Sequence, residues 1–230
     1  MAYSKSIALI QFESTIEDLL IRCNEFRASS LSYKSKTLAF QGSILLTCSS
    51  LENYLKSLID DWISKLRLQH ATMDKLPQKT RKIIYIRHQS SLFKNFTFNG
   101  NEHAASLKVN FTDFSFMISN NNSTLPSFIR GVHIYGNKKY PSIDNIKKMF
   151  STLEIEDIFK SINIKYKKNY TLYLESFLGV RESLAHEFPP NVTYADATRH
   201  LRNIRTLSRK IDSIAYSNLS ISSGSQFWPA

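Results

Sequence analysis

Two successive stretches of this sequence place apolar residues alternately three and four apart, and that spacing leaves few folds open. Leu9, Phe12, Ile16, Leu19, Cys23 and Phe26 form the first run; Ile44, Cys48, Leu51, Leu55, Leu58 and Trp62 form the second. The charged residues of both stretches fall between these positions, as an amphipathic helix requires. The spacing predicts helices over residues 6–28 and 36–69, joined by a polar connector from Ser29 to Lys36. A sustained 3/4 alternation on consecutive helices suits antiparallel bundle packing, with the two seams facing each other. Six glycines and six prolines in 230 residues are few for a β-sandwich or a nucleotide-binding α/β fold. The expected class is all-α.

Further along, Leu76 to Phe93 reads as a third, basic helix that opens near Pro77 and carries Lys79, Arg81, Lys82 and Arg87. Between about residues 95 and 140 the pattern breaks into short alternating runs around a polar Asn-rich stretch, which fits an irregular insertion or a small hairpin. Phe96, Phe98, Phe111, Phe114 and Phe116 there read as local core, with base stacking as the sharper alternative. Pro141 and Ser142 start a short helix through Phe150, Leu153 to Ile162 forms another, and Lys165, Lys167 and Lys168 make a basic connector. A helix from Thr171 to about Phe188 is stopped by Pro189 and Pro190. Thr193 then caps a final helix to about Asn218, with Asp196 in its first turn. The expected organisation is a single domain over residues 1–218, followed by a polar tail over 219–230.

With 30 Lys and Arg against 19 Asp and Glu, the formal charge is +11. Such a balance favours anionic partners, nucleic acid first and anionic membranes second. Glu13, Glu17, Asp18 and Arg22 interrupt the N-terminal stretch, and no run of apolar residues reaches the length of a membrane span. A soluble, cytoplasmic protein without a membrane partner is expected. Cys23 and Cys48 lie on the apolar stripes and read as reduced core residues. The sequence holds no phosphate-binding glycine loop, no His-Glu-x-x-His or Cys-x-x-Cys pair and no Gly-x-Ser-x-Gly elbow. Neither a metal nor another cofactor is expected. On the final helix, Arg202, Arg205 and Arg209 fall within about 60° of one another. This stripe reads as a solvated face or, more sharply, as a surface for the RNA backbone together with Lys167 and Lys168.

The segment Phe177-Leu-Gly-Val-Arg-Glu-Ser-Leu-Ala-His-Glu-Phe-Pro-Pro resembles the signature of the HEPN superfamily, an Arg, four to six residues and a His, here Arg181-x4-His186 with the polar Glu182 following the Arg. Leu51-Glu-Asn-Tyr-Leu55 and the stretch from Tyr140 to Phe159 look like helices of the RiboL-PSP branch, so the likeness covers most of residues 36–216. The residue after the Arg is most often Asn, Asp or His in that superfamily, and Glu182 departs from this. In one toxin branch a Tyr stands two residues after the His; here that position is Phe188.

The resemblance implies a HEPN-like helical bundle and metal-independent RNA cleavage in a homodimer, with Arg181 and His186 as the catalytic pair. It also implies a toxin or antiviral defence effector restrained by a cognate antitoxin or another regulator. The residue chemistry agrees, since an imidazole moves protons near neutral pH and a guanidinium holds a phosphate. Glu182, Ser183 and Glu52 are candidate supporting residues. Glu52 also stands four residues before Lys56, the spacing of a helix-surface ion pair. On a regular helix, positions five apart point about 140° away from each other. Either the helix distorts before the prolines or two copies pool their residues across a twofold axis. A non-catalytic module of the same fold, binding RNA or a partner protein, is the alternative that Glu182 motivates.

Overall fold

A computed structural model describes residues 2–87, 122–136, 140–185 and 190–230. Its elements are α1 (Ile7–Ala28), α2 (Tyr33–Leu68), a 3-10 turn (Met73–Lys75), α3 (residues 78–87), α4 (Val132–Tyr135), α5 (Ile143–Ser151), α6 (Ile158–Tyr166), α7 (Thr171–Ser183), α8 (Tyr194–Ser222) and a second 3-10 turn (Ser225–Phe227). The described residues form no strand; an isolated antiparallel bridge joins Thr72 to Thr124. The proposed hairpin or insertion over 95–140, its phenylalanines, and the last turn expected for the third helix lie wholly or largely outside the described residues.

The helix ends follow from local chemistry. Ser6 caps α1 by accepting from the Leu9 N–H (3.0 Å), and Ser32 caps α2 by accepting from Ser35 (3.2 Å). Thr193 and Asp196 form a reciprocal capping box at the start of α8, as their spacing predicts. The expected Leu153–Ile162 helix is corrected. Asp157 caps α6 by accepting from the Phe159 and Lys160 N–H groups (3.0 Å each), and Glu154 before it has a positive φ of 63°, so the chain turns at 152–157 and restarts.

The two 3/4 stripes face each other and α8 closes against both. Leu9, Ile16, Ile44, Leu51, Leu55, Leu58, Leu201, Ile204, Leu207 and Ile211 are all fully or almost fully buried there. α7 lies against α2 and α8, burying Leu174 and Phe177. The expected polar tail is corrected too. α8 runs on to Ser222, Phe227 and Trp228 are buried, the Trp228 Nε1–H donates to Ser4 O (2.9 Å), and the Ile7 N–H donates to Pro229 O (2.8 Å). The two ends of the chain are thereby stitched together. No helix among the described residues is long and apolar enough to cross a membrane.

Candidate functional site

α7 brings Arg181 to the side of α2. Leu174 and Phe177, on nearly the same face of α7 as Arg181, anchor that side of the helix in the core, so the arginine emerges half-buried at its edge. Its guanidinium carbon stands 5.0 Å from the centroid of the Tyr140 ring, a cation–π distance. Cys48 of α2 is the other neighbour. Burial pushes its thiol pKa up, Arg181 pulls it back, and Glu52 adds to the rise. Tyr140 behaves similarly: burial raises its phenol, Arg181 lowers it, and Cys48 and Glu182 raise it. Cys48 and Tyr140 thus feel the Arg181 cation directly and the charges of Glu52 and Glu182 respectively.

Neither carboxylate closes on the arginine. Glu52 pairs with Lys56 one turn along α2, the surface pairing its spacing suggests. Glu182 is exposed, and among the described residues Arg181 makes no ion pair with any carboxylate. Ser183 turns its hydroxyl back to the Gly179 carbonyl (2.8 Å), an ordinary intrahelical bond. A partly buried guanidinium without an anionic partner is uncommon, because desolvation of a charge is normally offset by a counter-charge.

His186 lies outside the described residues, as do Phe188 and Pro189. The helix that leads to it ends sooner than the sequence predicts. Regular α geometry stops at Ser183, and Leu184 and Ala185 form a turn closed by Ala185 N–H to Glu182 O (2.9 Å). His200 of α8 is a different case: it is buried beside Phe177, burial lowers its pKa, and its Nδ1 has no hydrogen-bond partner among the described residues, so it is a core histidine closed to a substrate.

The arginine stripe of α8 is engaged with α1. Arg205 pairs with Glu17 and Arg209 with Glu13, while Arg202 is exposed to solvent. Lys5 joins Glu13 from its other side (2.6 Å). Lys167 takes the left-handed position that ends α6 (φ 50°), and Lys168 lies over the rings of Tyr173 (5.0 Å) and Tyr170 (5.8 Å). Tyr140 and Cys48, which complete the surroundings of Arg181, carry no functional signal in the sequence. Among the described residues no cluster of three or more His, Cys, Asp or Glu comes together.

A family model described as RiboL-PSP-HEPN matches residues 12–217. The chain belongs to the RiboL-PSP-HEPN family. Membership of this HEPN family accounts for the all-helical architecture of the described residues and points to a nuclease-like or RNA-related function. The match also spans the helices on both sides of the HEPN arginine, from α1 through most of α8. Neither the curated proteins nor the solved structures contain a match to the chain.

Proposed function

We propose that this RiboL-PSP-HEPN protein is a metal-independent endoribonuclease. The observation that carries this reading is Arg181: half-buried, seated on Tyr140 and unpaired with a carboxylate, it offers a phosphodiester the anionic partner's place. In the proposed reaction His186 takes the proton of a ribose 2′-OH, whose oxygen attacks the adjacent phosphorus. The bond to the 5′-oxygen of the next nucleotide breaks, and that oxygen leaves as a hydroxyl after receiving a proton. A 2′,3′-cyclic phosphate remains on one fragment, and Arg181 neutralises the charge that builds on the phosphoryl oxygens.

A homodimer would supply two motif histidines, one for each proton transfer. Exposed Leu38, Leu45 and Leu46 on α2 favour an apolar contact between copies. A toxin or defence role in the cytoplasm, held in check by an antitoxin or another regulator, belongs to the same proposal. The alternative, a non-catalytic RNA- or protein-binding module, draws on Glu182, whose charge reaches the Tyr140 phenol and would oppose a phosphate there.

The test is cleavage of labelled single-stranded RNA in EDTA by the wild type, Arg181→Ala and His186→Ala, with analysis of the product ends. Cyclic phosphate ends from the wild type and loss of at least a hundredfold in both variants are expected. Equal activity in His186→Ala would remove that residue from the chemistry, and no cleavage by folded wild type would favour the binding module.

A further inference from the structure

A second cationic site stands at the opposite end of α7 from Arg181. At the corner where α6 ends and α7 begins, Tyr166, Tyr170 and Tyr173 pack edge to face, with ring centroids 6.1 Å and 5.4 Å apart. Lysines sit on these rings. Lys210 of α8 is 3.9 Å from the Tyr166 centroid and Lys165 is 5.6 Å from it, while Lys168 lies 5.0 Å from Tyr173. Lys165 and Tyr166 also donate to the same Ser213 hydroxyl (3.4 and 3.0 Å), which ties the patch to α8.

These ammonium groups differ from the arginines of α8 in one respect. Arg205 and Arg209 are already neutralised by carboxylates, whereas none of Lys165, Lys168 and Lys210 pairs with a carboxylate among the described residues. Glu175, the acidic residue closest in sequence on α7, points about 160° away from Tyr173 around the helix. The rings hold three uncompensated charges in fixed places, and Ile164 and Leu172, their neighbours in the chain, are 67% and 55% exposed. Fixed cations interleaved with aromatic and exposed apolar side chains form the footprint of a single-strand binding surface, where phosphates meet the cations and unpaired bases lie on the apolar groups.

We propose that Lys165, Lys168 and Lys210, held on Tyr166 and Tyr173, bind the backbone of single-stranded RNA a few nucleotides away from the phosphate at Arg181. Tyr173 and Arg181 are eight residues apart on α7, about 12 Å along its axis and about a quarter-turn around it. One strand can therefore engage both ends of the helix, and the platform sets which phosphodiester reaches Arg181. The inference rests on the ribonuclease reading for the identity of the strand, but its test does not depend on cleavage.

That test uses the full chain carrying His186→Ala and a fluorescein-labelled single-stranded oligoribonucleotide, with affinity measured across a salt series. Lys168→Ala together with Lys210→Ala removes two phosphate contacts, so the slope of log affinity against log salt should fall by about 1.4. Lys168→Arg together with Lys210→Arg should keep the slope, which separates lost charge from lost packing. An unchanged slope in the alanine pair, or no measurable binding of single-stranded RNA at low salt, overturns the proposal. So does an equal effect on duplex RNA, or an effect confined to phosphatidylserine vesicles. If cleavage fails in the wild type while the slope changes as stated, the ribonuclease reading falls and the platform stands.

Discussion

Asp212 offers the sharpest test of how this bundle is held together. It is fully buried on α8 and receives the Ser6 N–H (3.1 Å), the Ser6 hydroxyl, the Tyr3 hydroxyl (2.8 Å) and the Tyr54 hydroxyl (3.3 Å). One carboxylate thus joins the N-terminal segment and the cap of α1 to α8 and α2. In Asp212→Ala, Tyr54 keeps its bond to Ser208 O (3.2 Å) and Tyr3, at 41% exposed, can turn to water. The two Ser6 donors are the groups left stranded. At about 1–3 kcal/mol for each buried unsatisfied donor, offset in part by relief of the buried charge, the net cost should be about 2–4 kcal/mol. For a chain of this size that lowers the melting temperature by roughly 4–16 °C. Asp212→Asn retains an acceptor for Ser6 and should cost about 1 kcal/mol. Urea titration by circular dichroism measures both, and hydrogen exchange at the Ser6 amide should accelerate well before global unfolding. A loss below about 1 kcal/mol for Asp212→Ala would refute the reasoning, because it would mean that the stranded Ser6 groups find other partners at little cost.

Two glycines should respond oppositely to alanine. A Cβ at Gly131 would stand 2.2 Å from Asp60 Oδ1 and 3.1 Å from the Asp60 backbone nitrogen, so Gly131→Ala should lower stability by about 1–3 kcal/mol, whereas Gly179 has open space there and Gly179→Ala should raise it by about 0.5–1 kcal/mol in the same melts. Acid should unfold the protein through its paired carboxylates. Burial raises the Glu13 pKa but hydrogen bonds from Lys5 and Arg209 outweigh it, and the pKa values of Asp74, Asp157 and Asp196 are lowered too, so stability present above their ordinary values is lost as pH falls through the folded ones. Asp212 has the opposite sign: burial raises its pKa, so its contribution is complete at low pH and declines as pH rises through its folded value. Melting temperatures between pH 3 and 5 should fall less steeply toward acid in Glu13→Gln than in the wild type; identical slopes would count against the pairing.

The sequence made α1, α2 and the start of α8 legible because each is specified locally, by an apolar period or by a cap three residues from its partner. The restart at Asp157 was also local, yet Leu153 to Ile162 is apolar enough to mask a left-handed residue near its start and a capping aspartate in its middle. In the C-terminal segment the signal was present and outvoted: Phe227 and Trp228 sit in a serine-rich end, and two large aromatics there announce burial. The fate of the arginine stripe was not legible at all. Helix phase shows that Arg205 and Arg209 share a face, but their partners Glu17 and Glu13 are 188 and 196 residues away. The same holds for Arg181, whose neighbours Cys48 and Tyr140 come from separate parts of the chain, brought together only when α7 packs against α2.

Net charge is consequently a poor guide to where an anion binds on this molecule. The +11 excess is spread over most of the chain, and its most regular feature, the face of α8, is largely neutralised by α1. What remains uncompensated depends on which elements pack together. α7 packs Arg181 against a thiol and a phenol, while the α6 corner sets lysines on tyrosine rings, and among the described residues no carboxylate forms an ion pair with any of these cations. Substituting Arg205 or Arg209 should therefore be felt in the α1–α8 contact and in thermal stability, by less than about 1 kcal/mol for each exposed pair. Anion affinity should instead follow Arg181 and the lysines of the α6 corner, because those cations make no ion pair with a carboxylate among the described residues.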